Sequence, residues 1–337
     1  MTGPLLEVSN LTLVTGNGGD EATLVEELSL DMSVGETVGV IGESGSGKSL
    51  LVRSLVGILP RGVRQTAGQV VLAGTDVSTA SERDLRKLRG GTVGMVFQDS
   101  IGSLDPLFTV GRQIVEALRI HQRLNKAQAL ARAEQLLGDV GITQPSERLL
   151  AYPHELSGGM AQRVAIAIAI ANSPALLIAD EATTALDVTT QKQVIGLLKR
   201  IQAERGCGII FVSHDLATVS ELADRVVVMY AGAVIEAGPT ALVLNRPRHP
   251  YTAALLRSRP ALGAVAQRGA VLSGSVPLPG QWPAGCRFHP RCPYGDNERC
   301  HHERPQLEGA GHLSACHFPL STTGSYNVIE RSRVNHG

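Results

Sequence analysis

The chain has 337 residues, of which 31 are Lys or Arg and 31 are Asp or Glu, so its formal net charge is zero. This balance creates no field that would favour nucleic acid or an anionic membrane surface as its partner. The sequence has neither a signal-peptide pattern at its start nor a run of about 18 apolar residues, so we expect a soluble protein.

The first two thirds of the chain predict two kinds of sheet. Near the start, PLLEVSNLTLV and AGQVVLAGTDV predict strands of a small antiparallel sheet. ETVGVIG predicts a strand that ends in glycine, and KSLLVRSLVGIL has the apolar spacing of a helix. PALLIADE and GIIFVSHD are short apolar runs that end in polar residues, which is typical of parallel strands buried on both faces. In such sheets, ligands bind at the carboxyl ends of the strands.

The remaining segments define the predicted organisation of the chain. Residues from about 105 to 155 carry periodic Ile, Val, Ala and Leu, so they are predicted to be mostly helical. RVVVMYAGAVIEAG predicts a hairpin that turns at Ala231 and Gly232. Beyond Asn245 the periodicity fades and Pro, Arg, His and Cys become dense. We therefore predict one domain over residues 1–245 and an extension over residues 246–337.

The stretch GESGSGKS, from Gly42 to Ser49, predicts a phosphate-binding loop. It fits the pattern G-x-x-x-x-G-K-[ST] and lies between a predicted strand and a predicted helix, the context that makes the match specific. Its glycines let backbone N–H groups face phosphate oxygens, and the helix start adds its positive dipole end. Lys48 is expected to reach the β- and γ-phosphates, and the Ser49 hydroxyl to bind Mg²⁺. The predicted nucleotide contacts in this segment are Gly42, Ser44, Gly45, Ser46, Gly47, Lys48, Ser49 and Leu50.

Polar side chains at the ends of the later strands complete the predicted site. Asp180 and Glu181 end one strand, so one carboxylate can serve Mg²⁺ while the next orients and deprotonates the attacking water. His214 ends the following strand and is expected to contact the γ-phosphate and hold Glu181 in register. Gln98 also ends a strand, and its amide is expected to touch Mg²⁺ and the water. Ser49, Gln98 and Asp180 are thus the predicted magnesium ligands.

In this order, GESGSGKS, Gln98, LSGGM, LLIADE, ALD (residues 185–187) and His214 resemble the ATP-binding subunits of ABC transporters, from about residue 5 to 245. The resemblance implies an α/β P-loop NTPase fold: a RecA-like core with a mixed sheet, an antiparallel β subdomain and a helical subdomain at about residues 105–155. It also implies that Ser157, Gly158 and Gly159 complete the ATP site of an opposite subunit. Small groups suit that role, because backbone N–H groups must approach a γ-phosphate closely. Asp187 would lie at the dimer contact.

Further motifs narrow the resemblance to the oligopeptide/dipeptide importers. They are QDSIGSLDPLFTVGRQIVEAL, LSGGMAQRV, DEATTALDVTTQ and RHPYTAALLRSRP, followed by the cysteine-containing segment near the end of the chain. The implied function is ATP hydrolysis that drives a permease through dimer closure, at the cytoplasmic face of the membrane. The implied partners are two permease subunits, a second and non-identical ATPase subunit, and an extracellular or periplasmic peptide-binding protein, with no nucleic acid. Nickel or another peptide-like cargo, or a non-transport ABC ATPase, are the alternatives.

Four of the five cysteines crowd the last sixth of the chain. Their spacing is C-x5-C-x7-C-x15-C, and four thiolates suit either tetrahedral zinc or an iron–sulfur cluster. The spacing lacks the paired C-x2-C of structural zinc sites, and the resembled subunits carry a [4Fe–4S] cluster here, so we favour the cluster over zinc. The predicted ligands are Cys286, Cys292, Cys300 and Cys316. Neighbouring histidines are expected to be solvated or to support the ligands, and Cys207 is expected to be a small core residue.

The sequence departs from the family pattern at the adenine site. No Phe, Tyr or Trp precedes Phe97, so the usual aromatic residue that stacks on adenine is missing. We expect apolar residues near Leu13 to Thr15 to contact the base instead. Ala182 replaces the usual Pro, and Ala161 stands where a basic residue is common, but neither change removes a catalytic group.

Overall fold

The computed structural model describes residues 3–16, 18, 21–184, 186–258, 272 and 274–321. Ala185, the first residue of the ALD motif, lies outside these ranges, as do residues 322–337 of the predicted extension. None of the helices within the described ranges has both the length and the apolar character needed to cross a bilayer.

The strands in the described ranges are β1 (Leu6–Thr15), β2 (Ala22–Met32), β3 (Thr37–Ile41), β4 (Val63–Leu72), β5 (Thr75–Asp76), β6 (Val93–Val96), β7 (Leu176–Asp180), β8 (Gly208–Val212), β9 (Arg225–Tyr230), β10 (Ala233–Pro239) and β11 (Leu313–Ser314). The α-helices are α1 (Lys48–Ser54), α2 (Glu82–Leu88), α3 (Val110–His121), α4 (Lys126–Asp139), α5 (Pro145–Arg148), α6 (Gly158–Ala169), α7 (Val188–Arg205), α8 (Leu216–Leu222), α9 (Thr240–Asn245), α10 (Pro250–Arg257) and α11 (Glu298–His302). Short 3₁₀ turns cover Pro153–Glu155 and His289–Arg291.

The N-terminal strands form a four-stranded antiparallel sheet in the order β2-β1-β4-β5. β1 pairs antiparallel with both β2 and β4. Leu6, Val8, Leu11 and Leu13 on β1 are buried, so this strand turns one apolar face to the core. The predicted antiparallel subdomain is confirmed.

The second sheet is mixed and has seven strands in the order β11-β10-β9-β3-β8-β7-β6. β9, β3, β8, β7 and β6 pair in parallel, whereas β10 pairs antiparallel with β9 and with β11. Every residue of β3, β7 and β8 is buried, as the apolar runs in the sequence predict. This mixed sheet confirms the predicted α/β fold of a P-loop NTPase.

The mixed sheet lies between two apolar layers. Leu177 and Ala179 on β7 face a cluster that includes residues of α3, α4, α6, α7 and α8. Leu176 and Ile178 on the same strand face a cluster formed with α1, α2 and the antiparallel sheet. Because successive side chains of a strand point to opposite faces, one continuous apolar run supplies both layers.

The C-terminal extension is joined to the core by backbone pairing. β11 adds an edge strand to the mixed sheet, with Glu236 opposite Ser314 and Ala237 opposite Leu313. The β9–β10 hairpin turns at Ala231 (φ 45°) and Gly232 (φ 76°), as predicted, and its two left-handed residues match the twist of a tight hairpin. Residues of the extension therefore pack directly against the mixed sheet.

Candidate functional site

The predicted phosphate loop connects β3 to α1 and takes its shape from glycine. Gly42, Gly45 and Gly47 have φ values of 151°, 81° and 101°, a region that favours residues without a side chain. A Cβ atom at position 42 would lie 2.3 Å from the backbone oxygen of Met229. The loop therefore folds tightly against the end of β9, with its backbone open toward the start of α1.

Lys48 is buried at the centre of this loop. Its Nζ donates to the carbonyl oxygens of Gly42 and Glu43, both at 2.9 Å. Burial lowers the pKa of Lys48, and the nearby carboxylates of Glu181, Asp180 and Glu43 oppose that change. The ammonium group thus binds neutral carbonyl oxygens of the loop. A phosphate oxygen, which is charged, could replace them.

Ser49 and Asp180 come together at the predicted magnesium position. The Ser49 hydroxyl donates to Asp180 Oδ1 at 3.2 Å, although 131 residues separate them in the chain. Burial raises the pKa of Asp180, while the bond from Ser49 and the positive charges of Arg53 and Lys48 act in the opposite direction. Hydroxyl and carboxylate oxygens are the ligand types that Mg²⁺ prefers, so this pair fits that ion.

Glu181 forms the centre of the predicted catalytic group. Its Oε2 accepts a hydrogen bond from Gln98 Nε2 at 2.8 Å and one from Thr184 Oγ1 at 3.4 Å. His214 Nδ1 lies 3.9 Å from the same oxygen, beyond a normal hydrogen bond. The structure thus gathers Gln98, Glu181 and His214 at the carboxyl ends of three neighbouring strands.

The backbone of Glu181 is itself unusual. Its φ of 50° is rare for a residue with a side chain, and its N–H donates to the Val212 carbonyl at 3.0 Å. That hydrogen bond ties the start of the turn to β8. A left-handed residue right after a buried strand carries a backbone cost of about 1 kcal/mol or more.

The LSGGM segment begins helix α6 and exposes its small residues. Ser157 is the N-cap, and its hydroxyl accepts a hydrogen bond from the Met160 N–H at 3.3 Å. A Cβ atom at Gly158 would meet nothing within 4 Å, whereas one at Gly159 would lie 2.7 Å from Thr190 Cγ2. The helix start therefore has open space at Gly158 and no room at Gly159.

Asp187 caps the neighbouring helix α7. Its carboxylate accepts hydrogen bonds from Thr190 N at 2.9 Å and from Thr190 Oγ1 at 2.7 Å. These two bonds lower the pKa of Asp187. Since Thr190 also packs against Gly159, the two helix starts are in contact.

A residue of the loop that the sequence motif leaves unspecified makes further contacts. The Glu43 N–H donates to the Tyr251 hydroxyl at 2.8 Å. Arg291 donates to both carboxylate oxygens of Glu43, at 2.6 Å and 3.0 Å. These partners lie 208 and 248 residues away, so no local sequence signal could have identified them.

The four C-terminal cysteines interact electrostatically with one another. Burial raises the pKa of each thiol, to about 11 for Cys292 and about 12 for Cys316, and the neighbouring thiols add to the effect at three of them. Within the described ranges, however, no three His, Cys, Asp or Glu side chains are arranged as metal ligands. The side-chain arrangement therefore gives no support to the predicted metal centre. Cys207 is buried in the core, as predicted.

The expectation for the adenine contact does not hold for two of its residues. Leu13 and Val14 are 0% and 3% exposed, and Leu13 belongs to the apolar cluster formed with α1, α2 and the antiparallel sheet. Their side chains pack in the core and offer no surface to a base. Thr15 is half-buried.

An open apolar groove of about 440 Å³ lies between the mixed sheet and α3. Ile58, Phe97 and Ile120 line it, and all three are exposed, Ile120 by 67%. Phe97, which lines the groove, directly precedes Gln98 in the chain, so the groove adjoins the predicted catalytic group.

Two family models match the chain. The model described as ABC transporter matches residues 25–184. The model described as oligopeptide/dipeptide transporter, C-terminal region, matches residues 235–300.

Similar proteins cover nearly all of the chain. The dipeptide transport ATP-binding protein DppD of Escherichia coli strain K12 is 45% identical over 322 residues, which is 95% of this chain and 98% of that protein. A putative peptide import ATP-binding protein of Brucella melitensis biotype 1 is 44% identical over 93% of this chain and 96% of its own length.

Solved structures align with the core. A dimeric post-hydrolysis state of an ATP-binding cassette bound to ADP and Pi has a TM-score of 0.63 and 28% identity, over 70% of this chain and 98% of that one. A part of an ABC transporter complex from Clostridium perfringens, cbiO1, has a TM-score of 0.62 and 29% identity, over 72% of this chain and 90% of that one.

Proposed function

Because the chain belongs to the ATP-binding subunits of ABC peptide importers, we propose that it hydrolyses ATP to drive the import of dipeptides or oligopeptides. The observation that carries this proposal is the position of Glu181, held by Gln98 at the carboxyl end of the sheet whose strand β3 leads into the phosphate loop. The match of residues 235–300 to the oligopeptide/dipeptide transporter region supports the choice of cargo class.

In this proposal the phosphate loop binds the triphosphate. Backbone N–H groups around Gly45 and Gly47 face the phosphates, and Lys48 exchanges its two carbonyl acceptors for phosphate oxygens. Ser49 and Asp180 would hold Mg²⁺, with Gln98 beside them. The ion, when bound, would neutralise charge on the phosphate oxygens.

Glu181 is proposed as the general base for the attacking water. The hydrogen bond from Gln98 orients its carboxylate at the edge of the sheet. His214, which is 57% exposed and lies 3.9 Å from Glu181 Oε2, would contact the γ-phosphate and hold Glu181 in register. In this arrangement Glu181 would accept the proton of the water, and Gln98 and His214 would position its carboxylate.

Two subunits are proposed to close around the nucleotide. The Ser157 hydroxyl and the backbone N–H groups at Gly158 and Gly159 would meet the γ-phosphate held by the partner, and Asp187 would lie at the contact. The free space around Gly158 supports this role, because a phosphate needs close access to the backbone. Whether the partner subunit is identical or, as we propose, a related second ATPase does not alter this geometry.

The apolar groove is the proposed docking site for a permease. Exposed Ile58, Phe97 and Ile120 form an apolar surface suited to a short helix from a membrane subunit, so the protein would sit peripherally at the cytoplasmic face. Closure of two ATPase subunits would then move two permeases, which an extracellular or periplasmic binding protein would supply with peptide. The variant Ile120→Ser should keep its basal ATPase activity and lose stimulation by the permeases. Unchanged stimulation would contradict this docking site.

The four C-terminal thiols are proposed to hold a [4Fe–4S] cluster, with zinc as the alternative. Their donor type fits either group, although within the described ranges their side chains are not arranged as metal ligands. The group would cross-link the extension. Iron and acid-labile sulfide in anaerobically purified protein would support the cluster. Stoichiometric zinc without iron would support the zinc alternative instead. Protein that contains neither iron nor zinc would refute both.

The decisive experiment compares ATP hydrolysis with ATP binding after co-purification with the permeases. Glu181→Gln should lower turnover at least about 100-fold while ATP remains bound, because only the proton acceptor is lost. Glu204→Gln, a change at an exposed residue of α7, is the matched control and should leave both unchanged. Stimulation of the wild-type ATPase by added peptides would identify the cargo. Undiminished hydrolysis in Glu181→Gln would remove Glu181 from the catalytic role.

A further inference from the structure

Glu43 connects the phosphate loop to the C-terminal extension through both its backbone and its side chain. Its N–H donates to the Tyr251 hydroxyl at 2.8 Å, and its carboxylate receives the bidentate guanidinium of Arg291 at 2.6 Å and 3.0 Å. Both partners lie beyond α9, the last helix before the extension. We call these three residues the Glu43 clamp.

The carbonyl group of Glu43 binds two residues of the phosphate loop. It accepts hydrogen bonds from Lys48 Nζ at 2.9 Å and from the Ser46 N–H at 3.2 Å. The residue that Tyr251 and Arg291 hold is therefore the one that positions Lys48 and the turn of the loop. A shift of Glu43 would move both.

The clamp is built from buried and rigid parts. The Arg291 side chain is only 5% exposed, and Tyr251 is fully buried. Tyr251 packs in an aromatic cluster with Tyr230 and Phe288, with ring centroids 4.8 Å and 5.4 Å away. Arg291 also donates to the Tyr230 hydroxyl at 3.3 Å. Charge-assisted, bidentate hydrogen bonds with little access to water are the strong and geometrically specific kind.

We propose that Arg291 and Tyr251 are positioning residues of the ATP site, which act through Glu43 to hold the phosphate loop in its binding shape. The inference rests on the proposed function of the loop. A loop with three left-handed glycines loses much conformational freedom when it is ordered, and that loss would weaken nucleotide binding. The clamp removes this cost before the nucleotide arrives, so the extension contributes to affinity without touching the ligand.

The position of Arg291 adds a consequence for the extension. It ends the 3₁₀ turn His289–Arg291, between Cys286 and Cys292. The clamp therefore joins the phosphate loop to the segment that carries the thiols. Correct folding of that segment becomes a condition for tight nucleotide binding.

The test measures binding of Mg-ADP by titration calorimetry and the KM and kcat for ATP in the full chain. Arg291→Ala should raise the Kd and KM about tenfold, the usual effect of losing a charged hydrogen-bond pair, and should change kcat by no more than about twofold. Arg291→Lys, which keeps the charge without the planar fork, should lie between that variant and the wild type. Tyr251→Phe removes only the hydroxyl and should raise the Kd about threefold.

The control is Arg304→Ala, because Arg304 also pairs an extension residue with the core, but at Glu26 of β2 and not at Glu43. It should leave the Kd unchanged. The double variant Glu43→Arg, Arg291→Glu should bind better than either single variant. Wild-type Kd values in both Arg291→Ala and Tyr251→Phe, or equal weakening in Arg304→Ala, would overturn the proposal. If Arg291→Ala does not fold, Arg291→Lys and Tyr251→Phe decide. A wild-type protein that binds no nucleotide would refute the proposed function instead.

Discussion

At the scale of single residues, the shape of the phosphate loop depends on glycines, which have no Cβ atom. A Cβ atom at Gly42 would clash with the backbone carbonyl oxygen of Met229. A Cβ atom at Gly45 would have no neighbour within 4 Å. Both have positive φ, so both would be strained by a Cβ atom, but only one would also clash. The two positions therefore separate backbone strain from steric exclusion.

Gly42→Ala should lower the free energy of unfolding by at least about 2 kcal/mol. The alanine must adopt a strained φ, and the backbone must also move away from the Met229 carbonyl. Its nucleotide binding should be abolished. Gly45→Ala should lose only about 1 kcal/mol, the cost of the left-handed backbone alone. Urea unfolding at constant m-value and titration with Mg-ADP check both variants. Equal losses in the two would contradict a role for the Met229 contact.

At the scale of elements, the extension is fixed to the core by buried polar groups at the ends of short elements. α10 has eight residues, and its N-cap His249 accepts a hydrogen bond from the Tyr251 N–H through Nδ1 at 3.0 Å. Glu236 of β10 accepts from the N–H groups of Arg248 and His249 at 2.6 Å and 2.9 Å. The cap thus needs a neutral His249, since a protonated Nδ1 could not accept.

Burial lowers the pKa of His249 from 6.5 to about 4, although the charge of Glu236 opposes the shift. Between these two pH values, the unfolded chain binds a proton that the folded chain does not. The stabilisation is therefore present above about pH 6.5 and is lost as the pH falls toward about 4.

His249→Asn should reduce the fall in melting temperature between pH 7 and pH 5, because Asn can still cap α10 but does not titrate. In this pH range, the variant should take up about one proton fewer on unfolding than the wild type. Thermal unfolding at several pH values measures this number. An unchanged pH dependence would mean that His249 is not neutral and buried as described.

At the scale of the whole molecule, the proposed function requires a surface that is incomplete in a single chain. The phosphate loop and Glu181 lie together at the edge of the mixed sheet, while the start of α6 exposes Ser157 and Gly158. Substitutions at the phosphate loop should therefore impair nucleotide binding, whereas substitutions at the start of α6 should impair only the partner's site.

Gly158→Ala adds a methyl group where the single chain has free space, so the free energy of unfolding should not fall and the Kd for nucleotide should not rise. ATP-dependent dimerisation and hydrolysis should drop at least about tenfold, because the methyl group would meet the partner's phosphate. Size-exclusion chromatography with ATP in the Glu181→Gln background tests the dimer. Gly196→Ala, at an exposed α7 position that is equally free of neighbours, is the control and should dimerise normally.

Local patterns were enough to predict the fold class and the elements that form the site. The apolar runs that end at Asp180 and Glu181 predicted buried parallel strands, since a strand without alternation has to be covered on both faces. The glycine spacing of the phosphate loop predicted its conformation, because only glycine tolerates those backbone angles. Parallel strands also bring their carboxyl ends to one edge, so the meeting of Gln98 and Glu181 followed from the order of the motifs.

The tertiary structure alone decided how the C-terminal residues meet the core. Glu43 and Arg291 are 248 residues apart, and neither lies in a pattern that names the other. The same holds for β11, a two-residue strand whose pairing with β10 no periodicity could indicate. The burial of Leu13 and Val14 was likewise set by the sheets that cover β1. A motif records what its own residues need, whereas contacts between distant segments depend on how every intervening element packs.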